Sequence, residues 1–179
     1  MLETLRVSET LQSPLERALR DSYSAVLASP NEDWNVFLTI CVDADARRIS
    51  QALTEPEYLE AWITMPDQLS MPGHGEGSQI VATKTADGYR LDQYRAGRVI
   101  ASFVGSFLFC HQRKMRLTWR NTACPDLPES LVDFRIRGNF AGSILELRHM
   151  SLQSAGEFLW HQQLWSASLA TLASIMRSA

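Results

Sequence analysis

The segment 154–176 constrains the fold of this chain more strongly than any other stretch. Read as a helix, it carries apolar side chains at mixed steps of three and four residues, which is the spacing of one broad apolar stripe. The stripe consists of Leu159, Trp160, Leu164, Trp165, Leu169, Leu172, Ile175 and Met176. The residues left for the solvent side are Gln162, Ser166, Ser168, Ser174 and Arg177. Two tryptophans on one terminal helix need a large apolar surface, so we expect a sheet wrapped around this helix, with a cavity between them.

The region before this helix has the two-residue period of half-buried antiparallel strands. Segments 78–85 and 89–95 flank the turn Ala86-Asp87-Gly88, a hairpin in which we expect Gly88 to take positive φ. Segment 98–110 predicts a long strand with Phe103, Gly105, Phe107 and Phe109 on one face. Three further strands carry inward-facing sets, namely Met115, Leu117 and Trp119; Val132, Phe134 and Ile136; and Leu145, Leu147 and His149.

Shorter elements precede these strands. Segment 34–42 is rich in β-branched and aromatic residues and predicts a well-buried strand. Asp43 is expected to cap a short helix that runs to about Leu53, and Thr54 with Glu57 three residues later predicts the start of a second helix. Segment 65–77 is rich in glycine and proline, and such connections often border a binding site.

Residues 1–33 predict an N-terminal helical extension. Ser13, Pro14 and Glu16 form a helix-start pattern, and the helix is amphipathic until Pro30. Its apolar face packs on its own domain or on a second copy of the chain, so a homodimer is one of the two alternatives.

Composition excludes several classes of protein. The chain has 179 residues, enough for one domain with a real core, and its net charge of -3 does not favour a nucleic-acid partner. Its cysteines, Cys41, Cys110 and Cys124, are odd in number and far apart, which fits a reducing compartment. We find no signal-peptide pattern and no apolar run near the roughly 20 residues of a membrane helix. We therefore expect a cytoplasmic protein without a membrane or nucleic-acid partner.

Four blocks of the sequence resemble motifs of a known family, and they occur in the same order as in that family. The LTEPEYLEAW of residues 53–62, segment 105–119 with Leu117-Thr118-Trp119, and segment 143–149 are similar to strand and helix signatures of the START-like SRPBCC superfamily. The final helix matches its closing pattern through Trp165, Leu169 and Leu172. The branch that these blocks resemble is the domain of activator of heat-shock-protein-ninety ATPase homologues. Leu164 and Ile63 stand where this branch usually has a glycine and a second tryptophan.

The resemblance implies a fold and a type of site. The fold is α+β helix-grip over residues 34–179, with a curved antiparallel sheet of about seven strands around the long C-terminal helix and two short helices after the first strand. It also implies an apolar cavity between sheet and helix, whereas chaperone binding is not implied. The candidate cavity residues are Trp62, Met65, Phe103, Phe107, Trp119, Phe134, His149 and Trp165. The alternative is that these rings simply fill the core.

No catalytic or metal-ligating set stands out. His149 lies on the apolar register of its strand, where a histidine either orients a ligand, acts as acid or base, or is a core residue bonded to a backbone carbonyl. His74, His111 and His161 have no second ligand at metal-like spacing. The sequence contains none of four common catalytic or nucleotide-binding motifs: G-x-S-x-G, G-x-x-x-x-G-K-[ST], H-E-x-x-H, and a G-x-G-x-x-G that opens a helix after a strand. We therefore assign no catalytic residue, no metal and no cofactor.

Three functions remain as hypotheses. The leading one is a non-enzymatic protein that binds a hydrophobic small molecule in the cavity. The second is an enzyme similar to polyketide cyclases and aromatases of the same superfamily, with His149 and Arg95 positioning the substrate. The third is a co-chaperone-like interaction module. It would use the mainly basic outer sheet face formed by Arg116, Arg120, Arg135, Arg137 and Arg148 with Asp133 and Glu146.

Overall fold

Seven antiparallel strands and a long C-terminal helix make up most of the computed structural model, which describes residues 34–66, 78–139 and 142–178. The elements are β1 (Trp34–Val42), α1 (Ala46–Thr54), α2 (Pro56–Trp62), β2 (Gln79–Lys84), β3 (Gly88–Arg95), β4 (Arg98–His111), β5 (Lys114–Asn121), β6 (Ser130–Asn139), β7 (Gly142–Leu152) and α3 (Ala155–Ser178). The predicted extension 1–33 and most of the predicted 65–77 connection lie outside the described residues.

The strands form one sheet in the order β1-β7-β6-β5-β4-β3-β2, and every neighbouring pair is antiparallel. Because the chain enters at one edge and then returns through β2 to β7, β1 pairs with the last strand. The sheet is curved and holds α3 against its concave face, with α1 and α2 between the first two strands in sequence. The predicted α+β helix-grip fold is therefore confirmed.

The apolar stripe of α3 is the centre of the core. Leu164, Trp165, Leu169, Leu172 and Met176 are buried, as their spacing predicts. Facing them are inward residues of β1, β5, β6 and β7, since successive strand side chains point to opposite faces of the sheet.

Ser168 departs from the predicted solvent side of this helix. It is fully buried, and its hydroxyl accepts a hydrogen bond from the backbone N–H of Thr64 at 2.8 Å. A helix wheel cannot anticipate this burial, because the chain that follows α2 covers a face of α3 that the helix itself leaves free.

The two short helices form at the predicted places with different caps. Asp45, and not Asp43, caps α1 by accepting a hydrogen bond from the backbone N–H of Arg48 at 2.8 Å. The predicted capping box of α2 is wrong. Thr54 is the last residue of α1, and its hydroxyl donates to the Ser50 carbonyl of the same helix at 2.9 Å instead of capping α2. Glu55 occupies the N-cap of α2 without a side-chain bond.

Gly88 does not take the positive φ that its turn predicts. Positive φ values occur instead at Ala96 and Gly97, between β3 and β4. Gly88 is needed for a close approach, since a Cβ there would lie 1.8 Å from the carbonyl oxygen of Gly105 on β4.

Phe109 leaves the face that it is predicted to share with Phe103. The pairing of β4 with β5 shifts between Phe107 and Phe109, so that Phe109 lies opposite Arg116 on the outer face. There its ring contacts the Lys114 ammonium, with 5.2 Å between the nitrogen and the ring centroid. The bulge turns the strand over, so the period-two prediction fails beyond it.

One row of directly opposite residues crosses the outer face from β1 to β4: Phe37, Arg148, Asp133, Arg116 and Phe109. Asp133 at its centre is buried and accepts two hydrogen bonds from the Arg116 guanidinium, including one from Nη2 at 2.6 Å. The Arg148 guanidinium lies over the Phe37 ring at 4.8 Å. The basic outer face is thus partly neutralised by ion pairs.

Candidate functional site

A cavity of about 300 Å³ lies where the first turns of α3 pass the ends of β5 and β7. Its lining comes from β4 (Phe103), β5 (Trp119, Arg120, Asn121), the β5–β6 connection (Cys124, Leu127, Pro128), β6 (Ser130), β7 (Leu152) and α3 (Gly156, Glu157, Trp160, His161). Arg120, Leu127 and Pro128 are exposed and mark the mouth, whereas Trp119 and His161 are buried and mark the floor.

Stacked aromatic rings form one wall of the cavity. Phe103 stacks on Trp119, with centroids 5.2 Å apart and planes 25° apart, and on Trp160, at 5.3 Å and 21°. Nearly parallel rings present flat carbon surface, which suits a flat, largely apolar guest.

A chain of hydrogen bonds runs behind this wall and fixes the tautomer of His149. The Trp165 indole N–H donates to His149 Nδ1 at 2.8 Å, so Nδ1 is an acceptor and carries no proton. The remaining imidazole proton is then on Nε2, which donates to the Ser130 hydroxyl at 2.7 Å. The Ser130 hydroxyl in turn donates to the Trp119 carbonyl at 3.0 Å. Every polar atom of His149 is therefore satisfied inside the protein.

The protonation state of His149 follows from the same environment. Its side chain is fully buried, and burial together with the nearby His161 lowers its pKa well below the usual value. Protonation would also place a second donor on Nδ1 opposite the Trp165 N–H. His149 is thus a neutral core histidine that reaches a backbone carbonyl through Ser130.

His161 borders the cavity next to His149. The two rings meet edge to face with centroids 4.3 Å apart. His161 Nδ1 bonds to the carbonyl of Glu157 at 2.8 Å, so Nδ1 holds the proton and Nε2 is an acceptor. Burial lowers the pKa of His161 to about 4, although the bond to the Glu157 carbonyl opposes this shift.

Two buried polar atoms of cavity-lining residues have no hydrogen-bond partner. They are the acceptor Nε2 of His161 and the donor Nε1 of Trp119. Buried polar groups in native proteins are usually paired, and an unpaired one often marks a functional position.

The structure brings together only part of the predicted cavity set. Phe103 and Trp119 line the cavity, and His149 lies behind it. Phe107 is half-buried and meets the Tyr89 ring edge to face at 5.9 Å. The other four predicted cavity residues are buried in the core and do not line this cavity; they are Trp62, Met65, Phe134 and Trp165. Arg95, assigned to the substrate in the enzyme hypothesis, is half-buried and does not line it either.

Sequence reasoning missed most of the α3 side of the cavity. Gly156 and Trp160 are four residues apart, as are Glu157 and His161, so both pairs lie along one side of the first turns. That spacing is the signal that could have found them. The β5–β6 connection, which supplies Cys124 and the mouth, has no periodic pattern and could not be assigned from sequence.

The described part of the chain provides neither a metal cluster nor a membrane helix. Within 34–66, 78–139 and 142–178, no three His, Cys, Asp or Glu side chains lie close enough together to hold a metal ion. None of the helices in these ranges is long and apolar enough to cross a membrane.

No known family model matches this sequence, and no curated protein matches it. Several solved structures, however, are similar to this chain. The protein CV1439 of Chromobacterium violaceum is 17% identical with a TM-score of 0.65, over 81% of this chain and 98% of that one. A protein of Rhodobacter sphaeroides is 13% identical with a TM-score of 0.64, over 84% and 97% of the two chains.

A third similar structure is DynU16, described as a protein of the dynemicin biosynthetic locus. It is 17% identical with a TM-score of 0.53, over 82% of this chain and 48% of that one. At such identities the likeness concerns the fold alone. The class of protein is therefore an α+β helix-grip domain.

Proposed function

We propose that this protein binds a small, flat and largely apolar molecule in the cavity beside the first turns of α3. The observation that carries the proposal is the aromatic wall of Phe103, Trp119 and Trp160 around a volume of about 300 Å³. That volume is at the small end of ligand pockets, and the mixture of aromatic walls with few polar atoms is typical of them.

Ligand binding is tested with naphthalene as the probe, by tryptophan fluorescence and by thermal shift. Trp119 and Trp160 line the cavity, so their emission is expected to change as naphthalene binds. Binding to the folded state alone raises the melting temperature as the ligand concentration rises.

A cavity-filling variant makes this test specific. Gly156 lines the cavity, and a Cβ there would meet nothing closer than the Ser154 hydroxyl at 3.8 Å. Gly156→Leu is therefore expected to fold and to weaken naphthalene binding at least about tenfold, because a leucine side chain occupies the site. Gly138→Leu is the matched control, since Gly138 is exposed and has open space around it. Equal binding by both variants would contradict the proposed site.

A second candidate function is catalysis on an aromatic substrate in the same cavity. The likeness to DynU16, a protein from a biosynthetic locus, supports it, as does a histidine at the cavity floor. Against it, a His161 pKa of about 4 makes the imidazole a weak base near neutral pH. The test is mass spectrometry of a naturally bound molecule before and after incubation with the protein. Recovery of the unchanged molecule would contradict catalysis.

We also propose that the chain belongs to the branch of heat-shock-protein-ninety ATPase activator homologues and acts in the cytoplasm. Support for the branch comes from residues 53–62 and from Leu117-Thr118-Trp119, whose tryptophan lines the cavity. Support for the location comes from Cys41, Cys110 and Cys124, which form no disulfide. A chaperone partner and a homodimer stay predictions, testable by pull-down and by light scattering.

A further inference from the structure

We infer that the natural ligand is an aromatic compound that carries an uncharged hydroxyl group, which pairs with both Trp119 Nε1 and His161 Nε2. The inference rests on the proposed function, because it concerns the polar complement of the molecule that fills the same cavity. Its starting point is the pair of buried, unpartnered atoms on two residues that line the cavity.

The donor of the pair is the indole N–H of Trp119. The Trp119 side chain is 2% exposed and packs against Phe103, Trp165 and His161, so water does not reach the N–H. An indole nitrogen can only donate. The ligand atom that satisfies it must therefore be an acceptor.

The acceptor of the pair is Nε2 of His161. The bond from Nδ1 to the Glu157 carbonyl holds the proton on the other nitrogen, so Nε2 offers a lone pair. His149, the nearest polar ring, cannot supply the missing proton, since its own Nε2–H already donates to Ser130. The ligand atom that satisfies His161 must therefore be a donor.

A hydroxyl group meets both demands with a single oxygen. It accepts from the indole and donates to the imidazole, whereas an ether or a ketone oxygen can only accept. The rings of Trp119 and His161 meet edge to face, with centroids 6.4 Å apart, so the two unpartnered atoms belong to adjoining rings.

The charges around the floor favour a neutral group over an anion. His149 and His161 face each other and are both uncharged at neutral pH, because burial lowers the pKa of each. The charged residues that border the cavity are Arg120 and Glu157, of opposite sign. Arg120 is exposed and also lies 3.8 Å from Glu129. A carboxylate on the floor would lose its hydration without gaining a fixed cation.

Both atoms are covered in the structure, so the hydroxyl reaches them after a neighbouring ring shifts. Trp160 is suited to this movement because it is only half-buried and meets the His161 ring edge to face, with centroids 4.8 Å apart. The proposal therefore includes a shift of the Trp160 ring that opens the imidazole edge of His161 to the cavity.

The test compares four probes that share one ring system: 2-naphthol, 2-methoxynaphthalene, naphthalene and 2-naphthoate, titrated near pH 7. We expect 2-naphthol to bind about tenfold tighter than 2-methoxynaphthalene, which cannot donate to His161. Naphthalene should bind more weakly than 2-naphthol, and 2-naphthoate should be the weakest because it is charged.

Two variants assign the atoms. His161→Asn keeps an N–H for the Glu157 carbonyl but removes the Nε2 acceptor, so the preference for 2-naphthol over 2-methoxynaphthalene should fall to about onefold. Trp119→Phe removes the donor, so 2-naphthol and 2-methoxynaphthalene should both weaken relative to naphthalene. His111→Asn, at an exposed histidine, is the control and should bind like the unchanged protein.

The outcomes separate the two proposals. If naphthalene binds but 2-naphthol and 2-methoxynaphthalene bind equally, the hydroxyl assignment is overturned and the proposed function stands. Tightest binding by 2-naphthoate would overturn it as well, and an unchanged preference in a folded His161→Asn variant would overturn the acceptor role. If no probe binds, both proposals fail. The probe series on the unchanged protein decides the point even where a variant does not fold.

Discussion

His149 shows how one residue is committed to structure by its partners. An imidazole on the inward register of a strand can serve a ligand or the core, and the sequence leaves both options open. In the structure its two nitrogens bond to Trp165 and Ser130, which excludes a free acid or base at this position. Its contribution to the cavity is to hold Ser130 and, through it, the Trp119 backbone.

This arrangement predicts the effect of removing the imidazole. His149→Leu keeps a similar volume but leaves the Trp165 N–H without an acceptor, so the free energy of unfolding should fall by about 2 kcal/mol. Urea unfolding at pH 7 measures it. His111→Leu, at an exposed site, serves as the control and should change stability by less than about 0.5 kcal/mol. An equal stability of the two variants would contradict the hydrogen-bond chain.

At the scale of elements, the strands align their charges across the sheet. Asp133 on β6 lies directly opposite Arg116 on β5 and Arg148 on β7, and the Arg116 hydrogen bonds lower the pKa of Asp133. The carboxylate is 2% exposed although it is on the outer face, because the Arg116 guanidinium from the neighbouring strand pairs with it. The pairing therefore ties β6 to its neighbours β5 and β7.

Asp133→Asn tests this pairing. The substitution keeps the shape but removes the charge between the two guanidinium groups, so we expect the free energy of unfolding to fall by about 2 kcal/mol. Asp92→Asn is the matched control, since Asp92 pairs with Arg90, whose side chain is 48% exposed. The control should cost less than about 1 kcal/mol because exposed ion pairs contribute little. Equal losses would show that the Asp133 pairing does not tie the strands.

Local patterns predict these elements better than their ends. The two-residue period identified β2 to β7 because the alternation of side chains depends only on neighbouring residues. It failed at Phe109, where a bulge that only the pairing with β5 reveals reverses the faces. The caps failed in the same way, because Asp43 and Asp45 are equally good candidates until the first turn of α1 is placed.

At the scale of the whole molecule, the buried histidine pair makes stability depend on pH. In the unfolded chain both imidazoles take up a proton as the pH falls through about 6.5, whereas in the folded state His161 stays neutral down to about 4. The unfolded state thus binds more protons in this window. The contribution of the two neutral histidines to the free energy of unfolding is therefore present above about pH 6.5 and decreases as the pH falls below that value.

Urea unfolding at pH 5, 6, 7 and 8 checks this expectation. Between pH 7 and pH 5 each histidine should remove about 2 kcal/mol of the free energy of unfolding. A variant without one of them, His149→Leu or His161→Gln, should show a shallower dependence, and His111→Gln should match the unchanged protein. A flat profile from pH 7 to pH 5 would contradict the depressed pKa values.

The sequence by itself determined which segments are strands and helices, which of their faces are apolar, and that the last helix must be enclosed by a sheet. These properties follow from the spacing of neighbouring residues along the chain. Only the tertiary structure decided which aromatic rings fill the core and which border a cavity. The physical reason is that Trp160 and Trp165 share one helical stripe, and only the approach of α3 to the sheet at each point separates a packed ring from a cavity wall. The same holds for His161, whose free nitrogen is defined by a partner four residues away and by the rings around it.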